Sequence, residues 1–77
     1  NKLVFKYDNN KKCEVFSIDS NIYVNSLEDA KVYLVNTSSK SAKEVSMPQL
    51  VNFESIEINT ELIETLKKVL KTKSLQI

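Results

Sequence analysis

Seventy-seven residues carry eleven lysines and ten acidic side chains, a formal net charge of +1, and not one glycine, histidine or tryptophan. A chain this short is expected to form one domain with a marginal core, worth about 3–5 kcal/mol, and its balanced charge does not advertise a polyanionic partner. Without glycine there can be no glycine-rich phosphate loop, dinucleotide fingerprint or strained nucleophile elbow.

Apolar residues make up 42% and charged ones 27%, a balance that suits a globular chain and is too apolar for a disordered one. No apolar run approaches the roughly 18 residues of a membrane span. Cys13 is the single cysteine, so no internal disulfide can form and an intracellular, cytoplasmic home is expected. All the basic residues are lysine, and lysine, asparagine and serine dominate, as in AT-rich coding sequences and small viral or mobile-element proteins. The chain begins at Asn1 with no signal-peptide pattern, a start consistent with processing or excision from a longer chain.

The first element in chain order is a strand near 2–7, with Leu3, Phe5 and Tyr7 on one side. Asn9 and Asn10 are expected to turn it, because asparagine tolerates the left-handed backbone. A second strand near 13–18 completes the hairpin. Asp19, Ser20 and Asn21 break the pattern, and Ile22, Tyr23 and Val24 form either a third short strand or an extended link. Ser26 followed by Asp29 looks like a capping box, which suggests one helical turn over 27–30. The β-branched and aromatic run Val32, Tyr33, Leu34 and Val35 then favours a strand at 31–36. A helix over 27–35 is the competing reading.

Residues 37–43 form a small polar loop, after which 44–47 can pair with 31–36. Pro48 argues against a central strand running through it. Residues 53–58 are a further strand candidate, with Ile56 and Ile58 on one face. The last element is the clearest. Asn59 or Thr60 caps a helix near 61–72. Its Leu62, Ile63, Leu66, Val69 and Leu70 lie within about 120° of arc. Glu61 and Glu64 in its first turn, and Lys67, Lys68 and Lys71 in its last, complement the helix dipole. Glu64 and Lys68 are spaced to pair. The turns at Asn9 and Asn10, Ser20 and Asn21, and Ser38 and Ser39 must work without glycine, so left-handed positions are expected at their asparagines.

The expected fold class is therefore α+β: a small antiparallel sheet (strands near 2-7, 13-18, 31-36 and 53-58) packed by one C-terminal helix near 61-72. Its expected core is Leu3, Phe5, Val15, Val32, Leu34, Ile56, Ile58, Leu62, Leu66, Val69 and Leu70.

Few residues carry chemistry. With no histidine, acid–base work would fall to carboxylates, yet Glu28, Asp29, Glu61 and Glu64 stand at helix starts where acids are structurally favoured, and Asp19, Glu54 and Glu57 sit in no context that predicts burial. Cys13 has only Lys12 and Glu14 beside it and is expected to pack as a small apolar side chain. One cysteine and no histidine cannot complete a zinc or iron–sulfur ligand set. No catalytic residue, metal or cofactor is expected, and no membrane contact, since the last helix needs its apolar stripe for the core.

Binding needs none of this equipment. The expected function is a non-enzymatic protein-interaction domain, one form of which is a small intracellular inhibitor or accessory factor of viral or mobile-element type. Tyr7, Tyr23 and Tyr33 are the candidate partner-binding residues, since tyrosine is an amphipathic interface anchor. A sheet edge offers strand addition or homo-oligomerisation. The alternative is weak, low-specificity binding of single-stranded nucleic acid by Lys11, Lys12, Lys40 and Lys43, less favoured because arginine is absent and net charge is near zero.

Overall fold

Strand-forming runs separated by polar turns fold here into an antiparallel meander closed by one helix. The computed structural model describes residues 2–8, 10–49 and 52–76. Its elements are β1 (Leu3–Tyr7), β2 (Lys11–Ile18), β3 (Asn21–Ser26), β4 (Lys31–Asn36), β5 (Ser41–Val45), α1 (Thr60–Leu70) and β6 (Leu75–Gln76). They form one six-stranded sheet in the order β5-β4-β3-β2-β1-β6 with every neighbouring pair antiparallel. Ile22, Tyr23 and Val24 thus belong to a full central strand, not an extended link.

Alternation along the strands assigns two faces. Phe5, Tyr7, Cys13, Val15, Val24 and Val35 point toward α1 and pack with its Leu62 and Leu66. Asn59 caps α1, its side chain accepting from the Leu62 N–H at 2.9 Å. Lys71 ends it in the left-handed region, and the next N–H, that of Thr72, returns to the Lys67 carbonyl at 3.0 Å. The buried Thr72 hydroxyl then donates to Asp8 at 2.9 Å, tying the helix end to the β1–β2 turn. Glu64 pairs with Lys40 across the fold at 3.2 Å, not with Lys68 within the helix.

The far face of the sheet is also apolar at its centre. Phe16 is 1% exposed, stacked on Tyr23 at 5.5 Å and met edge-on by Phe53 at 5.4 Å. Val32 and Ile18 are buried on this side too. Val32 and Leu34, expected in the helix-side core, therefore face away from the helix, while Tyr33 and Val35 face it. Both sides of β4 are apolar, so alternation cannot choose between them.

The expected strand at 53–58 does not form. Among the described residues its ladder contact is a single bridge, with the Glu54 N–H donating to the Ser17 carbonyl at 2.8 Å. β1 reaches only as far as Val15 of β2, which leaves a short open stretch of β2 beyond it. The chain uses that stretch to pass from the far face, where Phe53 packs, to the helix face, where Ile56 joins the core. Ile58 is 41% exposed and lies outside the core.

The turns also differ from expectation. Residues 27–30 close a hairpin instead of starting a helix, and the Ser26 hydroxyl contact to Asp29 at 3.4 Å braces that turn. Among the described residues the left-handed positions are Asp8, Asp19, Ser20, Ala30, Lys40 and Lys71, none of them asparagine; Asn9 lies outside the described residues. Asp19 and Ser20 are both left-handed, the type I′ geometry that suits a two-residue hairpin. Glu54 holds this turn, one carboxylate oxygen accepting from the Ser20 N–H at 2.7 Å and the Ser17 hydroxyl at 3.1 Å. A left-handed non-glycine residue costs about 1–2 kcal/mol. Ser20→Gly should therefore stabilise the domain by about 1 kcal/mol, raising its melting temperature by roughly 4–8 °C. Thermal unfolding followed by circular dichroism reads this directly, and a lowered midpoint would show the turn to be unstrained.

Candidate interaction surface

Once β1 to β4 are paired, one long backbone edge is left among the described residues. β5 ends the sheet, hydrogen-bonded to β4 alone among the described residues. Four of its five residues are exposed, and Val45 is half-buried. The opposite edge is broken, since two-residue β6 covers only the Lys6 and Tyr7 end of β1. Natural sheets usually blunt or cover a long free edge.

Shallow depressions flank β5 on both faces. On the far face, one of about 270 Å³ lies along Leu34, Asn36, Ser41 and Lys43. A second, of about 530 Å³, has Val32, Val45 and Met47 as its apolar walls; Lys31 and Glu44, which also border it, belong by register to the helix face, opposite Ser26 and Tyr33. On the helix face, a hollow of about 240 Å³ is lined by Tyr33, Ala42 and Val69, with Lys40 and Lys68 beside them. Met47 is 47% exposed. Among the described residues neither Lys43 nor Lys68 has an ion-pair partner, whereas Lys40 is held by Glu64.

The three candidate tyrosines occupy different environments. Tyr7 is 5% exposed, a core residue whose hydroxyl meets that of Ser26 at 3.5 Å. It cannot serve as an exposed anchor, because its side of β1 faces the helix. Tyr23 is half-buried against Phe16 on the far face. Tyr33, half-buried on the helix face, is the one that lines the β5 surface.

Nor do the candidate lysines share a face. Lys11 lies on the helix side and pairs with Asp8 at 3.8 Å. Lys12 stands opposite Lys6 on the far side. Lys40 occupies the β4–β5 turn, and Lys43 projects from β5 on the far side, three strands from Lys12. This arrangement makes no continuous phosphate track.

Cys13 is fully buried under the helix. Burial pushes its thiol from the ordinary 9.0 to about 11, with the Glu14 charge adding to the rise and a hydrogen bond with the Phe5 backbone opposing it. The folded state therefore holds this proton where the unfolded chain releases it. The resulting stability is complete below pH 9 and declines as pH climbs toward 11. At pH 8, alkylation by iodoacetamide should proceed only through unfolding, about 10²–10⁴ slower than in urea. Comparable rates with and without urea would contradict that burial.

Sequence reasoning missed Ala42, Val45 and Met47. Ser41–Val45 consists mostly of poor strand formers, and a short strand was expected at 44–47 instead. A usable signal was present in β4, whose two apolar faces mark an interior strand that needs a neighbour on each side. Compared with protein-family models, with curated proteins and with solved structures, the chain matches none. The fold and this surface define its class, a small α+β meander whose five-residue edge strand β5 has no outer partner among the described residues.

Proposed function

We propose that this chain is a non-enzymatic protein-interaction domain that works through the β5 edge. One observation carries the reading: a five-residue edge strand left without an outer partner among the described residues and bordered by depressions on both faces. Backbone groups on such an edge supply affinity by strand addition, and flanking hollows supply selectivity through alternate side chains. An inhibitor or accessory factor that occupies a partner's surface needs nothing more than this. Single-stranded nucleic-acid binding draws less support, because Lys11 and Lys40 are engaged by Asp8 and Glu64 and the remaining candidates lie apart.

The test is affinity capture from source-cell lysate with the wild-type chain beside an Ala42→Arg, Met47→Asp variant whose folding is verified by circular dichroism. Both substitutions fall at exposed positions. A stoichiometric protein partner recovered by the wild type and lost by the variant is the expected result. Equal recovery by both would remove β5 from the function, and absence of any partner would count against the reading as a whole.

A further inference from the structure

Resting on the β5 reading, we propose that the occupant of this edge is an extended segment of a partner protein carrying an apolar and an acidic residue three positions apart. The geometry specifies both residues. A strand laid beside β5 continues the sheet, so its side chains alternate between the same two faces. The position opposite Val45 falls on the far face, beside the hollow walled by Val32, Val45 and Met47, and there an apolar side chain is buried. The position opposite Ala42 falls on the helix face, in the hollow whose rim holds Lys68 without an ion-pair partner among the described residues. An acidic side chain there meets a lysine that no carboxylate contacts as an ion pair among the described residues.

Val45 and Ala42 lie three residues apart on opposite faces of β5, which sets the spacing. An antiparallel occupant reads apolar-x-x-acidic and a parallel one acidic-x-x-apolar. A second copy of this chain fits the edge less well. Two-fold antiparallel pairing centred on Lys43 sets Glu44 opposite Ala42, but it also sets lysine directly against lysine and puts Ser41, not an apolar residue, opposite Val45.

The test uses the isotope-labelled full chain and four synthetic eight-residue peptides. Two carry leucine and glutamate three apart, one in each order. A third replaces the glutamate by lysine, and a fourth sets leucine and glutamate two apart so that both fall on one face. Amide chemical shifts report the site, and titration reports affinity. One of the first two peptides is expected to shift amides of Ser41–Val45 and bind about five- to tenfold more tightly than the third and fourth. Lys68→Glu, an exposed substitution, should reverse the preference between the glutamate and lysine peptides.

Equal binding of all four peptides, shifts centred elsewhere, or no binding at millimolar peptide would overturn the assignment. So would concentration-dependent dimerisation through β5 by sedimentation, or displacement of the peptide by oligothymidylate. If capture from lysate depends on Ala42 and Met47 while no patterned peptide binds, the edge retains its function and only the occupant is wrong.

Discussion

Replacing Phe16 by alanine should remove about 3–5 kcal/mol, the range for a fully buried phenylalanine, and leave little of the roughly 3–5 kcal/mol that a domain of this size commonly has. Phe16 lies on the face of the sheet away from the helix, yet it is 1% exposed because Tyr23 stacks on one side of it and Phe53 closes the edge. Phe53 belongs to the segment that carries the chain back to the helix side, so Phe16 anchors that return. Phe53→Ala, at a half-buried position, should cost less. The double variant should fall short of additivity by about 0.5–1.5 kcal/mol, the coupling of an aromatic pair. Urea unfolding measures all three. A loss below about 1 kcal/mol for Phe16→Ala would mean that the far-face cover contributes nothing.

Leu66→Ala should cost about 2–5 kcal/mol. Leu66 is fully buried where α1 meets the sheet, packed in one cluster with Phe5, Val15, Val24 and Leu62. The buried apolar residues of the helix pack in that cluster, and eleven residues are too few for a helix to be stable alone. Cavity formation at Leu66 thus releases helix and sheet together, and the melting transition should move down by tens of degrees or disappear. Leu66→Met, which keeps the volume, should cost under about 1.5 kcal/mol. Lys68→Ala, on the exposed side of the same helix, should stay within about 0.5 kcal/mol. Similar losses at Leu66 and Lys68 would contradict the packing described.

The reach of sequence reasoning varied with how much of each signal was local. Helix α1 was legible nearly to the residue, since its cap at Asn59, its apolar stripe and its charge gradient lie in one short window. The hairpin of β1 and β2 was legible for the same reason, as two alternating runs around a polar turn. The turns between β2 and β3 and between β3 and β4 were not. Ser26 and Asp29 do interact, as a capping box would suggest, but the same contact braces a hairpin. Among the described residues left-handed backbone fell on Asp19, Ser20 and Ala30, where strand register demanded it, and on none of the described asparagines. The candidate surface was less legible still. The edge is built from Ser41–Val45, and of these only Glu44 and Val45 fall in the stretch read as strand, while Ser41, Ala42 and Lys43 read as loop.

By itself the sequence determined that the chain has an antiparallel sheet beneath a C-terminal helix, because periodicity, capping and burial preference act within a few residues of one another. It also determined which glycine-dependent motifs are closed to this chain. Only the tertiary structure decided which side of β4 meets the helix, why residues 53–58 cross an edge without forming a strand, and that β5 has no outer partner among the described residues. Those outcomes depend on what packs against each face from distant parts of the chain. Phe53 turns the far side of the sheet into a second small core, and with both faces apolar the alternation along β4 no longer says which way is in.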